Sequence, residues 1–135
     1  MAQATLFPGI KAAIKELSDA YKLIVVSSTI SAPINELLAK FDLSSFFIEV
    51  MGYEVQSSKV EKIKMVFSKY QTSAADCVFV TDTLGDIREA EKTGVGAVGV
   101  SWGFHDRETL LRGQPFAIVD SPAALPEAIS KYFAK

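Results

Sequence analysis

The chain has 135 residues, which suits one domain with a real hydrophobic core and is too short for two. Hydrophobic residues make up 49% and charged residues 22%, with a formal net charge of -2, so no basic surface for nucleic acid or anionic membrane is built here. A single cysteine, Cys77, excludes an internal disulfide framework, and no secretory or membrane-length apolar run occurs, so a cytoplasmic protein is expected.

In chain order, Ile10, Ala13, Ile14 and Leu17 fall on one helical stripe behind Pro8-Gly9. Leu23-Ile24-Val25-Val26 is a short apolar run of the kind buried parallel strands use. A second helix is expected with Ser31 as its N-cap, Pro33 in its first turn, and Ile34, Leu37, Leu38 and Phe41 facing inward. Residues 46–50 read as the next strand. Ser58-Lys59-Val60-Glu61 fits a capping box, with Val60, Ile63, Val66, Phe67 and Tyr70 as the stripe behind it. Residues 77–81 form another strand, and a helix through Ile87 and Ala90 stops at Gly94. Residues 97–101 and 116–119 are two more strands, and Ser121-Pro122 opens a last helix. This alternation predicts an α/β fold, a parallel sheet with helices on both faces.

In such sheets ligands gather at the carboxyl ends of the strands. Those positions hold Ser27-Ser28-Thr29, then Ser57-Ser58-Lys59, then Thr81-Asp82-Thr83 with Gly85-Asp86. Phosphate-monoester chemistry needs donors and positive charge on the phosphoryl oxygens, and carboxylates to hold a magnesium ion. Ser27 can supply a hydroxyl, Lys59 the charge, and Asp82 with Asp86 the metal ligands. Each has a plainer reading: a strand end for Ser27, a solvated surface lysine for Lys59, a helix cap for the acids. Their order at successive strand exits is what favours the site.

Other features carry less. Gly94-Val95-Gly96-Ala97-Val98-Gly99 has the spacing G-x-G-x-x-G but ends a helix and enters a strand. A dinucleotide fingerprint must do the reverse, so these glycines are expected to cap and to allow close packing. His105, the only histidine, is read as a surface-loop residue, Trp102 and Phe104 as loop packing, and Cys77 as core.

These residues resemble the haloacid dehalogenase (HAD) superfamily. Residues 23–28 are similar to its second motif, whose Ser/Thr bonds the transferring phosphoryl group; Lys59 is similar to the lysine of its third. Residues 78–87 resemble its fourth motif, which makes Asp82 and Asp86 the implied magnesium ligands. The family usually has Gly where Thr81 stands, a departure expected to leave the two acids untouched. The stretch from Gly94 to His105, with residues 116–121, resembles the phosphoglycolate-phosphatase branch. The resemblance implies a three-layer Rossmann-like core over residues 1–135, acting on a phosphorylated small molecule.

The family's opening D-x-D strand, whose first Asp attacks phosphorus, has no counterpart, because no D-x-D occurs in the sequence. The helical cap is likewise expected to be absent. The missing strand would lie between those ending at Ser27 and Thr81, so three outcomes are open. The neighbours close up, by about 4.8 Å; a second chain or copy supplies the strand; or the gap stays open and the protein aggregates. The chain alone is expected not to turn over phosphate esters. Three readings follow: one part of a split enzyme, a phosphate- or metal-binding pseudoenzyme, or an interaction module whose sheet edges recruit a partner.

Overall fold

A computed structural model describes residues 8–134. Among these residues six α-helices and five short strands alternate: α1 Ile10–Ala20, β1 Ile24–Val26, α2 Ser31–Lys40, β2 Glu49–Met51, α3 Lys59–Tyr70, β3 Val78–Thr81, α4 Leu84–Lys92, β4 Gly96–Val100, α5 Arg107–Leu111, β5 Ala117–Val119 and α6 Leu125–Ala134. The expected α/β order stands, with one addition. Helix α5 is a five-residue turn capped by Asp106, whose carboxylate accepts the Thr109 N–H at 2.8 Å. It is too short to show a helical stripe.

Every strand pair is parallel, but the strands form two half-sheets, β1-β2 and β3-β4-β5. Val25 pairs with Val50 in the first; Phe79 pairs with Ala97, and Gly99 with Ile118, in the second. No described strand lies between β1 and β3, and these two do not pair with each other. The first outcome, closing up, is not adopted among the described residues, where β1 and β3 leave a gap. Its effect on burial is direct. In β4, flanked on both sides, residues 97–100 are all buried. In β1 all three residues are only half-buried, and Val80 of β3 is 38% exposed.

Side-chain alternation along β4 divides the core between two faces. Val98 and Val100 join Leu17 of α1 and Leu125, Ala128 and Ile129 of α6. Ala97 faces the other way, with Ile87 of α4 and Leu110 of α5, next to a group formed by Ile63, Ala90 and Val95. Helix α3 packs against both α4 and β1 and so spans the two half-sheets. The glycines of the false dinucleotide motif do what their position requires. Gly94 takes φ +84, and a Cβ on Gly96 would lie 2.4 Å from the Tyr132 ring.

Helix α2 departs from expectation. Ser31 is its first residue rather than its N-cap, and none of its residues is buried. Ile34, Leu38 and Phe41 are half-buried and Leu37 is exposed. A two-stranded half-sheet offers this helix little surface to pack on. The strand expected over residues 46–50 begins three residues later, after a 3-10 turn over Ser44–Phe46.

Candidate functional site

The site is assembled from the exits of β1 and β3, which bound the gap, and from the start of α3, which bridges it. At the β1 exit, Ser27 donates its N–H to the Met51 carbonyl at 2.9 Å, continuing the pairing with β2. Its Oγ accepts the Thr29 N–H at 3.0 Å, so the hydroxyl is fixed by a tight local turn. The following loop is tied to the next strand exit. The Ser31 N–H and Oγ both donate to the Glu54 carboxylate, which holds that carboxyl below its usual range. Gly52 lies beneath this lock, where a Cβ would fall 2.5 Å from the Ser31 nitrogen.

Helix α3 forms half of the expected capping box: the Ser58 Oγ accepts the Glu61 N–H at 3.2 Å, but the Ser58 N–H donates to Gln56 Oε1 and the Glu61 carboxylate pairs with Lys64. Lys59 therefore stands at the first helical position, and its Nζ lies 2.8 Å from both carboxylate oxygens of Asp86. The two side chains are 15% and 14% exposed, so this ion pair is largely withdrawn from water. Thr81, itself buried, donates its hydroxyl to Asp86 Oδ2 at 2.7 Å and accepts the Thr83 N–H. The expectation that a threonine at this position leaves the acids untouched is thus overturned. Asp86 takes an ammonium on both oxygens and a hydroxyl on one of them.

Asp82 is positioned by the loop after β4. Its Oδ2 accepts the Phe104 N–H at 2.9 Å, and its carbonyl accepts the His105 N–H at 3.0 Å. Gly103 makes this approach feasible, because a Cβ there would lie 2.3 Å from Asp82 Oδ2. His105 is half-buried and serves as more than a surface-loop residue: its Nδ1 accepts the N–H of Leu84, the first residue of α4. Thr83 caps the same helix, its side chain accepting the Asp86 N–H. Trp102 packs on the core as expected, whereas Phe104 is 78% exposed and stacks at a tilt on His105. Cys77 is half-buried against the α3–α4 group, and burial raises its thiol pKa, an inert setting.

The residues expected to hold magnesium, Asp82 and Asp86, follow one strand exit, but the described donors do not by themselves fit the ion. No group of three or more His, Cys, Asp or Glu side chains suited to a metal occurs among the described residues. One of the two carboxylates is already neutralised by Lys59. The same pair uses up much of the charge that Lys59 would offer a phosphate.

Lys62 was not anticipated. It is 0% exposed, and its Nζ donates to the Ser27 carbonyl. Burial first, and then the neighbouring charge of Lys59, lower its pKa from the ordinary 10.5; Glu54 and Glu89 pull weakly the other way. The signal in the sequence was faint: Lys62 lies one turn after Lys59 and next to Ile63, on the inward side of the helix.

Two surface depressions lie away from these residues. One of about 460 Å³ is bordered by Gln56, Lys64, Met65 and Lys69 on the outer side of α3 and holds none of this chemistry. No helix among the described residues is long and apolar enough to cross a membrane.

Comparison with known proteins agrees with this architecture. A probable phosphatase, IndB, of Dickeya dadantii is 31% identical over 124 residues, covering 89% of this chain and 54% of that protein. The phosphoglycolate phosphatase of Synechococcus elongatus is 28% identical, over 93% of this chain and 60% of its own length. The chain thus spans between half and two thirds of these relatives. Among solved structures, a haloacid dehalogenase-like protein of Streptococcus pneumoniae, SP0104, superposes with TM-score 0.85 at 23% identity. The match covers 93% of this chain and 60% of that one, so the half-sheets keep the placement they have in a longer protein of the fold. The sequence model of the haloacid dehalogenase-like hydrolases matches residues 2–100, and the chain belongs to that family.

Proposed function

We propose that this chain is the core of a phosphoglycolate-phosphatase-like phosphomonoesterase that is inactive alone, because no carboxylate nucleophile stands between Ser27 and Asp82. One observation carries the reading: Ser27 and Asp82 directly follow the two strands that border the gap, and α3, with Lys59 at its start, packs on both sides of it. Ser27 would bond the phosphoryl oxygens, and Lys59 would offset their charge. The substrate is a phosphorylated small molecule. A strand placed in the gap by a complementing chain, or by a second copy, would bring the missing carboxylate. It would also add to Asp82 and Asp86 a further donor toward magnesium.

The test is reconstitution. Hydrolysis of p-nitrophenyl phosphate with magnesium is measured for the chain alone and with a separate polypeptide carrying an apolar strand that ends in D-x-D. No turnover alone and magnesium-dependent turnover on mixing are expected. Activity of the chain alone, or none on mixing although the two associate, sinks the reading. A second reading, a phosphate-binding protein without turnover, is favoured by the saturation of Asp86 by Lys59 and Thr81. Phosphate binding that persists while reconstitution yields no turnover selects it.

A further inference from the structure

We propose that Lys62 is a second anion-binding residue of this site, a buried ammonium whose missing counter-charge is the phosphoryl group received at Ser27. The inference rests on the reading of the Ser27 exit as a phosphate site and adds a residue to it. Three observations carry it. Lys62 is fully buried, the largest such side chain among the described residues. Among the described residues it forms no ion pair: Lys59, one turn earlier on the same helix, takes Asp86, whereas no carboxylate pairs with Lys62. The nearby Glu54 is committed to Ser31. Among the described residues the Lys62 ammonium makes one hydrogen bond, to the Ser27 carbonyl, although it carries three donors.

A buried charge without a partner is costly, and a methionine would fill the same volume beside Ile63 without that cost. Such an arrangement fits a site held ready for an anion, in which folding stability is lower so that binding is stronger. Its location agrees. Lys62 grips the backbone of the residue whose hydroxyl is proposed to meet the phosphate, and Lys59 stands close enough to depress its proton affinity. Lys59 is neutralised by Asp86, so Lys62 is the uncompensated positive charge of the pair. The ligand class is a small dianion, a phosphate or phosphate monoester.

The experiment titrates the full chain with inorganic phosphate by calorimetry and follows thermal unfolding without phosphate. Wild type, Lys62→Met, Lys62→Arg and Ser27→Ala are compared. Lys62→Met is expected to weaken phosphate binding at least tenfold while raising the unfolding temperature, and Lys62→Arg to keep most of the binding. A purely structural lysine would give the opposite thermal shift and no change in affinity. Phosphate binding that Ser27→Ala weakens but Lys62→Met leaves intact overturns this proposal and spares the phosphate site. No binding to the wild type removes the phosphate site and this proposal together. If Lys62→Met does not fold, Lys62→Gln replaces it; failure of both to fold assigns Lys62 to structure alone and overturns the proposal.

Discussion

The Asp86 carboxylate shows how far one residue's role depends on its neighbours. It receives Lys59 on both oxygens and Thr81 on one, in a largely buried setting. A hydrogen bond to a charged group contributes about 2 kcal/mol. Thr81→Val, which keeps the shape and removes the hydroxyl, is therefore expected to lower stability by roughly that amount. Urea unfolding would check it, and an unchanged midpoint would count against the bond. Lys62 gives a pH signature. Its folded value lies below 10.5, so the unfolded chain holds the proton more tightly. The penalty is fully present below the folded value and is relieved as pH rises from there toward 10.5. The stability advantage expected of Lys62→Met should accordingly shrink as pH rises through that window. Lys59, Glu54 and Glu89 contribute to both proteins and largely cancel in the difference. Parallel pH–stability curves for the two proteins would contradict it.

At the scale of elements, close backbone approaches set the geometry of the site. The loop after β4 reaches Asp82 only because Gly103 has no side chain, and it returns His105 to the first turn of α4. His105→Ala removes an acceptor from a helix N-terminus and is expected to cost about 1 kcal/mol, with faster hydrogen exchange at Leu84. Equal exchange in both proteins would contradict the capping role. On the opposite face, the Gly96 N–H donates to the Tyr132 hydroxyl at 3.0 Å, where β4 meets α6. Gly96→Ala would push a methyl into that ring and should destabilise by about 1–3 kcal/mol, read by thermal unfolding. Helix α2 shows the reverse: its apolar stripe is real but faces only a two-stranded half-sheet, and no residue of it is buried.

For the molecule as a whole, the decisive feature is the unpaired pair of edges at β1 and β3. Helix α3 joins the halves through Lys59 to Asp86 and Lys62 to the Ser27 carbonyl. Two open parallel edges expose backbone donors and acceptors that a strand would satisfy. Amide exchange should therefore be faster in β1 and β3 than in β4, which is paired on both sides. A complementing strand should slow exchange on both edges at once. Uniform protection across all strands of the chain alone would contradict an open gap.

The sequence by itself determined the alternation of elements, the family, and which polar residues stand at the strand exits. Those are properties of spacing along the chain: apolar periodicity, caps such as Ser58, and glycines such as Gly94. The absence of a D-x-D motif was legible as well. Only the tertiary structure decided that β1 and β3 do not pair with each other, that Asp86 turns to Lys59 and Thr81, and that His105 caps α4. It also decided that Lys62 is buried on Ser27. The Lys59–Asp86 contact joins residues 27 apart and Lys62–Ser27 residues 35 apart. Periodicity tells which face of a helix a lysine occupies; it does not tell what lies opposite. The site expected as a set of separate donors is instead a connected one, in which Lys59 is spent on Asp86 and Lys62 holds the unmatched charge.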